Sequence, residues 1–119
     1  MSLLRSLIIP ALLMMASLAH ADLPIEGRWL TPKAEGTVEI KVDEGVLIGR
    51  LVASTNEKAK LGTVILRDFV RSGDRWTGKI YTPKHDRVLD AELSIRDGEL
   101  IVKVSAGFRS KSVTWTRAT

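Results

Sequence analysis

From Gly27 to the end of the chain, apolar and polar residues alternate at period two, and turn residues interrupt them at short intervals. That pattern describes strands with one buried and one solvated face, and no stretch carries the 3.6-residue spacing of an amphipathic helix. Val38, Ile40 and Val42 alternate with Thr37, Glu39 and Lys41 until Asp43-Glu44-Gly45 breaks the run. Arg75–Thr82 places Trp76, Gly78 and Ile80 on one face and Arg75, Thr77, Lys79 and Tyr81 on the other, and Pro83 stops it because proline cannot donate to a ladder. Arg87–Arg96 puts Leu89, Ala91, Leu93 and Ile95 inward, Asp97-Gly98 turns the chain, and Glu99–Ser105 brings in Leu100, Val102 and Val104. Lys111–Arg117 closes the chain with Val113, Trp115 and Arg117 on one parity. Thr63–Phe69 is a further strand. Val46–Ala53 is apolar on both parities, so its inner face is undecided, with Gly49 marking a bend or bulge. Ser54–Leu61 is polar and reads as a loop. Counting from Gly27 gives eight strands joined mostly by tight turns. An open meander of that kind would expose two edges, whereas closure removes both. The expected fold is all-β, an eight-stranded antiparallel up-and-down barrel.

Met1–Ala21 has a different character. One cation, Arg5, precedes an apolar run broken by Pro10, and Ala19-His20-Ala21 is a small-residue cleavage pattern. These are the parts of a secretory signal peptide, and a span would need about 20 apolar residues. Cleavage after Ala21 is expected, with the membrane touched only through the leader. The expected mature domain is residues 22–119, in the periplasm or secreted. A chain of that length supports a single core. It contains no cysteine, so packing and sheet cooperativity must hold it without disulfides. Losing Arg5 leaves 17 Lys and Arg against 14 Asp and Glu, a net charge of +3. That is too mild to imply a nucleic-acid partner.

Gly27-Arg28-Trp29 opens the first strand and Trp115-Thr116-Arg117 ends the last. A Gly-x-Trp opening with a late arginine resembles the lipocalin and wider calycin signature. The resemblance implies that Gly27, Trp29, Trp115 and Arg117 close the barrel, with the indole plugging its floor and the guanidinium across the ring. Contact within about 6 Å is then expected. With Trp76–Pro83 (WTGKIYTP), Asp97–Phe108 (DGELIVKVSAGF) and the final WTR, the chain resembles the DUF2147 family over nearly all of the expected mature domain. Membership implies a lipocalin-like barrel, usually periplasmic or secreted, with no established activity. Two departures stand out: the Ser54–Leu61 loop is short, and His85-Asp86-Arg87-Val88 replaces the Gly-Lys-x-Tyr that usually follows the proline. The family residues therefore carry over mainly as structural ones.

Little else in the chain speaks of chemistry. His85 beside Asp86 has no nucleophile placed near it by any motif, and reads as an exposed loop histidine. A single histidine outside the leader, with no cysteine, makes a zinc or copper site unexpected. No glycine-rich phosphate loop precedes a helix. No cofactor, metal or catalytic residue is expected, and the chain is not read as an enzyme. Arg67, Arg71 and Arg75 surround one turn, while Lys84, Arg87, Arg109 and Lys111 lie in or beside others. Together they suggest a basic rim at the barrel mouth, or simply solvated turns. Trp76, Gly78 and Ile80 are candidates for a ligand-lined inner wall, with Gly78 leaving room for ligand. Arg50, in an apolar strand, would orient a ligand if it faced inward. Two functions compete: carriage of a small apolar or amphipathic ligand, and a filled barrel acting as an envelope interaction or structural module. An interior void separates them.

Overall fold

The computed structural model describes residues 24–118. The expected leader and its cleavage point lie outside the described residues. The strands are β1 (Gly27–Leu30), β2 (Gly36–Asp43), β3 (Val46–Ser54), β4 (Val64–Ser72), β5 (Arg75–Thr82), β6 (Arg87–Arg96), β7 (Glu99–Ala106) and β8 (Arg109–Arg117). A short 3-10 turn at Pro32–Ala34 links β1 to β2. Each strand pairs antiparallel with the next, and β1 also pairs with β8, so the sheet closes on itself in chain order. Trp29 lies opposite Arg117 and Leu30 opposite Thr116 across that seam. The fold is thus an all-β, eight-stranded, closed up-and-down barrel.

Two of the four two-residue hairpins among the described residues follow directly from their sequence. Glu44-Gly45 and Asp97-Gly98 hold both central positions at positive φ (51° and 82°, 52° and 78°), as two-residue turns matched to the strand twist require. In such a ribbon successive turns fall at alternate ends. The β2–β3, β4–β5 and β6–β7 turns share one end with the start of β1 and the end of β8. The β1–β2, β3–β4, β5–β6 and β7–β8 connections form the other end, the mouth.

The undecided face of β3 is settled by burial. Leu47, Gly49 and Leu51 are turned to the core, and Arg50 is exposed. Arg50 therefore lies on the outer wall and cannot orient a ligand inside the barrel. A Cβ on Gly49 would lie 2.9 Å from Val38 Cγ1 and 3.0 Å from Leu66 Cδ1, so the bare backbone lets neighbouring strands crowd here.

β4 departs most from strict alternation. It runs to Ser72, beyond the expected end at Phe69. Gly49 pairs with Leu66 and Arg50 with Val64, which leaves Ile65 as an extra residue, and Ile65 and Leu66 are both buried. Arg67 pairs with Lys79 and Val70 with Thr77, so Asp68 and Phe69 together face Gly78. Asp68 adopts φ 57° and is exposed. This second bulge reverses the parity, so Phe69 becomes fully buried and Val70 turns outward. Ile95, expected inward, is 38% exposed because it sits at the closed-end rim beside the β6–β7 turn.

On the outer wall, charges pair across strands. Arg28 meets Glu39 at 3.2 Å, Arg75 meets Glu92 at 2.8 Å, and Lys79 meets Asp90. Pairs this exposed are worth at most about 1 kcal/mol each. They keep the wall polar without supplying the main stability.

Candidate functional site

The closed end is built first by its tryptophans. Trp29 is fully buried, and its indole Nε1–H donates to the carbonyl of Ile25 at 2.9 Å, satisfying its only polar group. The guanidinium of Arg117 lies 4.0 Å from the Trp29 ring centroid. It also donates to the carbonyls of Glu26 at 2.7 Å and Pro24 at 2.6 Å, which ties the segment before β1 to the last strand. Gly27 has φ 123°, which favours glycine, and a Cβ there would stand 2.7 Å from Arg117 Nη1 and push the guanidinium from its place. Glu26 contributes too, its carboxylate accepting from the Val42 amide at 2.9 Å.

Trp76 belongs to the same end, because β5 begins there. It is 6% exposed, and the Arg71 guanidinium lies 5.7 Å from its ring. Above it, the space beside Gly78 is filled by protein. A Cβ there would stand 2.6 Å from Phe69 Cγ, 2.7 Å from Phe69 Cα and 2.8 Å from the Arg67 carbonyl oxygen. The missing side chain makes room for the β4 bulge rather than for a ligand. With Phe69, Leu47, Leu66, Leu93, Leu100 and Val102 all essentially inaccessible, the lower barrel is solid.

The mouth differs. A cavity of about 770 Å³ opens there, floored by Val38, Leu51, Ile65, Ile80 and Trp115. Each of these five is buried, at 1–9% exposure, and all are apolar apart from the Trp115 N–H. Over that floor stand Lys58, Lys60 and Lys84, with Glu35 as the one carboxylate in the lining. Among the described residues none of the three lysines is held in an ion pair. The rim is tied together by its own bonds. Thr55 donates from its amide at 2.8 Å and its hydroxyl at 3.3 Å to the Glu35 carbonyl, joining two of the mouth connections. The Asn56 side chain accepts the Lys58 amide at 2.9 Å. Tyr81, also on the rim, donates its hydroxyl to Asp86 at 2.8 Å. That bond to the carboxylate raises the phenol above its ordinary range near 10, with desolvation and the Asp86 charge adding to it. Arg67 opposes the shift.

Of the residues singled out in sequence as ligand contacts, Ile80 alone lines this cavity. Trp76 and Gly78 lie in the packed lower barrel. Arg50 borders a groove on the outer wall with Glu39, Ile48 and Leu61, open on its solvent side. Trp115, singled out as a closure residue, forms part of the cavity floor. Lys58 and Lys60 lie in the Ser54–Leu61 segment, which local pattern marks only as a loop. The signal for them is topological: the connection after the third strand of an up-and-down ribbon must lie at the end opposite the first residue. The basic cluster around the turns divides by the same rule. Arg71 and Arg75 lie at the closed end, and Lys84, Arg87 and Arg109 at the mouth. His85 is exposed in the β5–β6 turn. Among the described residues no three His, Asp or Glu side chains gather where a metal ion would be held.

Closed floor, solid lower half and open, lysine-rimmed cup define a small calyx-type β-barrel. A family model, described as an uncharacterized protein conserved in bacteria (DUF2147), matches residues 27–117, from the first residue of β1 to the last of β8. The chain belongs to the DUF2147 family. No curated protein and no solved structure matches it.

Proposed function

We propose that this barrel is an exported binding protein for a small amphipathic anion, held in the mouth rather than in the depth of the barrel. The observation that carries this reading is the pairing of a buried apolar floor with three unpaired lysines around one cavity. An apolar tail seated on Trp115 and Ile80 would be removed from water, worth about 25 cal/mol per Å² buried. A carboxylate or phosphate head would meet Lys58, Lys60 and Lys84, which a neutral ligand would leave unused. The volume lies within the range of small-molecule sites, and the solid lower barrel limits the ligand to a short chain. The reading is of carriage or sensing, not catalysis, and it takes no cofactor. The leader supports a periplasmic or secreted location.

Titration calorimetry with decanoate, decyl phosphate and a decyl ammonium salt tests it. The two anions should bind and the cation should not. Reversing Lys60 and Lys84 to glutamate should weaken decanoate about tenfold or more. Absence of heat with both anions at two well-separated temperatures, or equal affinity for the cation, would leave the filled-barrel envelope module as the better account.

A further inference from the structure

We propose that the mouth end of the barrel docks on anionic lipid bilayers, with Phe108 as the inserting wedge. Phe108 occupies the β7–β8 turn and is 100% exposed. An aromatic side chain that leaves all its surface in water at a loop tip gains nothing from the fold. Leu61 (61%) and Val88 (48%) are at the same end, so the mouth carries three of the five large apolar residues exposed among the described residues.

Charge is arranged to match. Taking each connection with its flanking strand residues, the mouth carries Lys33, Lys58, Lys60, Lys84, Arg87 and Arg109 against Glu35, Glu57 and Asp86, a net +3. The three turns at the closed end, counted alike, carry Asp43, Glu44, Asp74, Asp97 and Glu99 against Arg75 and Arg96, a net −3. A barrel polarised in this way is turned mouth-first by a negative surface, within about one Debye length, roughly 10 Å at moderate salt. Long lysine and arginine stems suit that interface, since their heads reach phosphate while their methylenes lie on apolar surface. An acidic protein partner fits less well. A stable protein interface needs about 800 Å² of complementary surface per side, whereas here the apolar contact is a wedge at the tip of a turn. The inference goes beyond the cavity reading and rests on it only for purpose: docking would set the cup against the source of an amphipathic anion.

The test is co-sedimentation with vesicles of phosphatidylcholine alone or mixed with phosphatidylglycerol. It uses the protein as its exporting host processes it, with the N-terminus assigned by mass so that all variants share it. Binding is expected on the mixed vesicles, little on the neutral ones, and loss as salt shortens the Debye length to about 3 Å. Phe108→Ser should weaken partitioning about tenfold or more. Lys84→Gln and Arg109→Gln should each weaken it roughly fivefold. Val70→Ser, at an exposed apolar residue near the closed end, should change nothing. Binding that survives Phe108→Ser, or that is equal on neutral vesicles, overturns the proposal. So does retention on immobilised polyglutamate with no retention on either vesicle. Decanoate affinity should be unchanged by Phe108→Ser, so failure of docking and failure of the cavity reading are separately visible.

Discussion

Gly78→Ala is the sharpest probe of how this barrel is filled. A methyl at that position would stand 2.6 Å from Phe69 Cγ, 2.7 Å from Phe69 Cα and 2.8 Å from the Arg67 carbonyl oxygen. Ordinary contacts lie near 3.5–4.0 Å, so something must move by most of an ångström. Two of the three atoms are backbone, in the segment where Asp68 already holds φ 57°, so no rotamer change relieves the clash. Overpacking in cores costs about 1–3 kcal/mol, and the backbone contacts place this case at the upper end. Lower unfolded-state entropy returns about 0.4–1 kcal/mol. A net loss of about 2 kcal/mol is expected, a fall in Tm on the order of 10 °C for a domain of this size. Gly49→Ala is the control, since its nearest atoms belong to the side chains of Val38 and Leu66 and have more freedom to shift. Urea unfolding followed by tryptophan emission measures both. Were Gly78→Ala within 0.5 kcal/mol of the parent, or Gly49→Ala the more damaging, the claim that Phe69 and the bulge occupy this space would fail. If Gly78 made room for ligand instead, the substitution would spare stability and lower affinity.

Two further outcomes concern the ends of the barrel. Arg117→Met keeps much of the side-chain length but loses the stacked cation and two bonds to the Pro24 and Glu26 carbonyls. About 1–2 kcal/mol should be lost at this exposed site, read as a lower urea midpoint, and Arg117→Lys should recover little because a point charge cannot stack and fork together. Tyr81 is the chain's single tyrosine, so its ionisation is directly visible in ultraviolet absorbance. Its folded pKa is raised by the bond to Asp86, so that bond's contribution is complete below the ordinary tyrosine value and lost as pH climbs through the raised one. Asp86→Asn should bring the absorbance transition back toward pH 10, and an unchanged titration would refute the assignment.

Much of this architecture is written in local chemistry. Alternation at Val38–Val42 and Leu100–Val104, and the Glu44-Gly45 and Asp97-Gly98 turns, specify strands and hairpins because a pleat has period two and a tight turn needs positive φ. Gly27, Trp29 and Arg117 mark the seam through their resemblance to the calycin signature, and the 4.0 Å approach of guanidinium to indole agrees with what that resemblance implies.

Alternation stops being informative where both parities are apolar, as in Val46–Ala53, and where an inserted residue switches the parity, as at Ile65 and Asp68. A bulge leaves no periodic trace, yet it decides that Phe69 fills the barrel beside Gly78. Nor does a face reveal height along the axis. Trp76 and Ile80 share a face of one strand, but the first lies in the solid floor and the second under the open cup, because four residues of strand span about 13 Å. The segregation of charge between the two ends likewise shows in no single turn and follows from the up-and-down strand order, which brings alternate turns together. Pairing preferences are local and sit in the sequence; which side chains meet in the interior, and at what depth, is decided when eight twisted strands must share one cylinder.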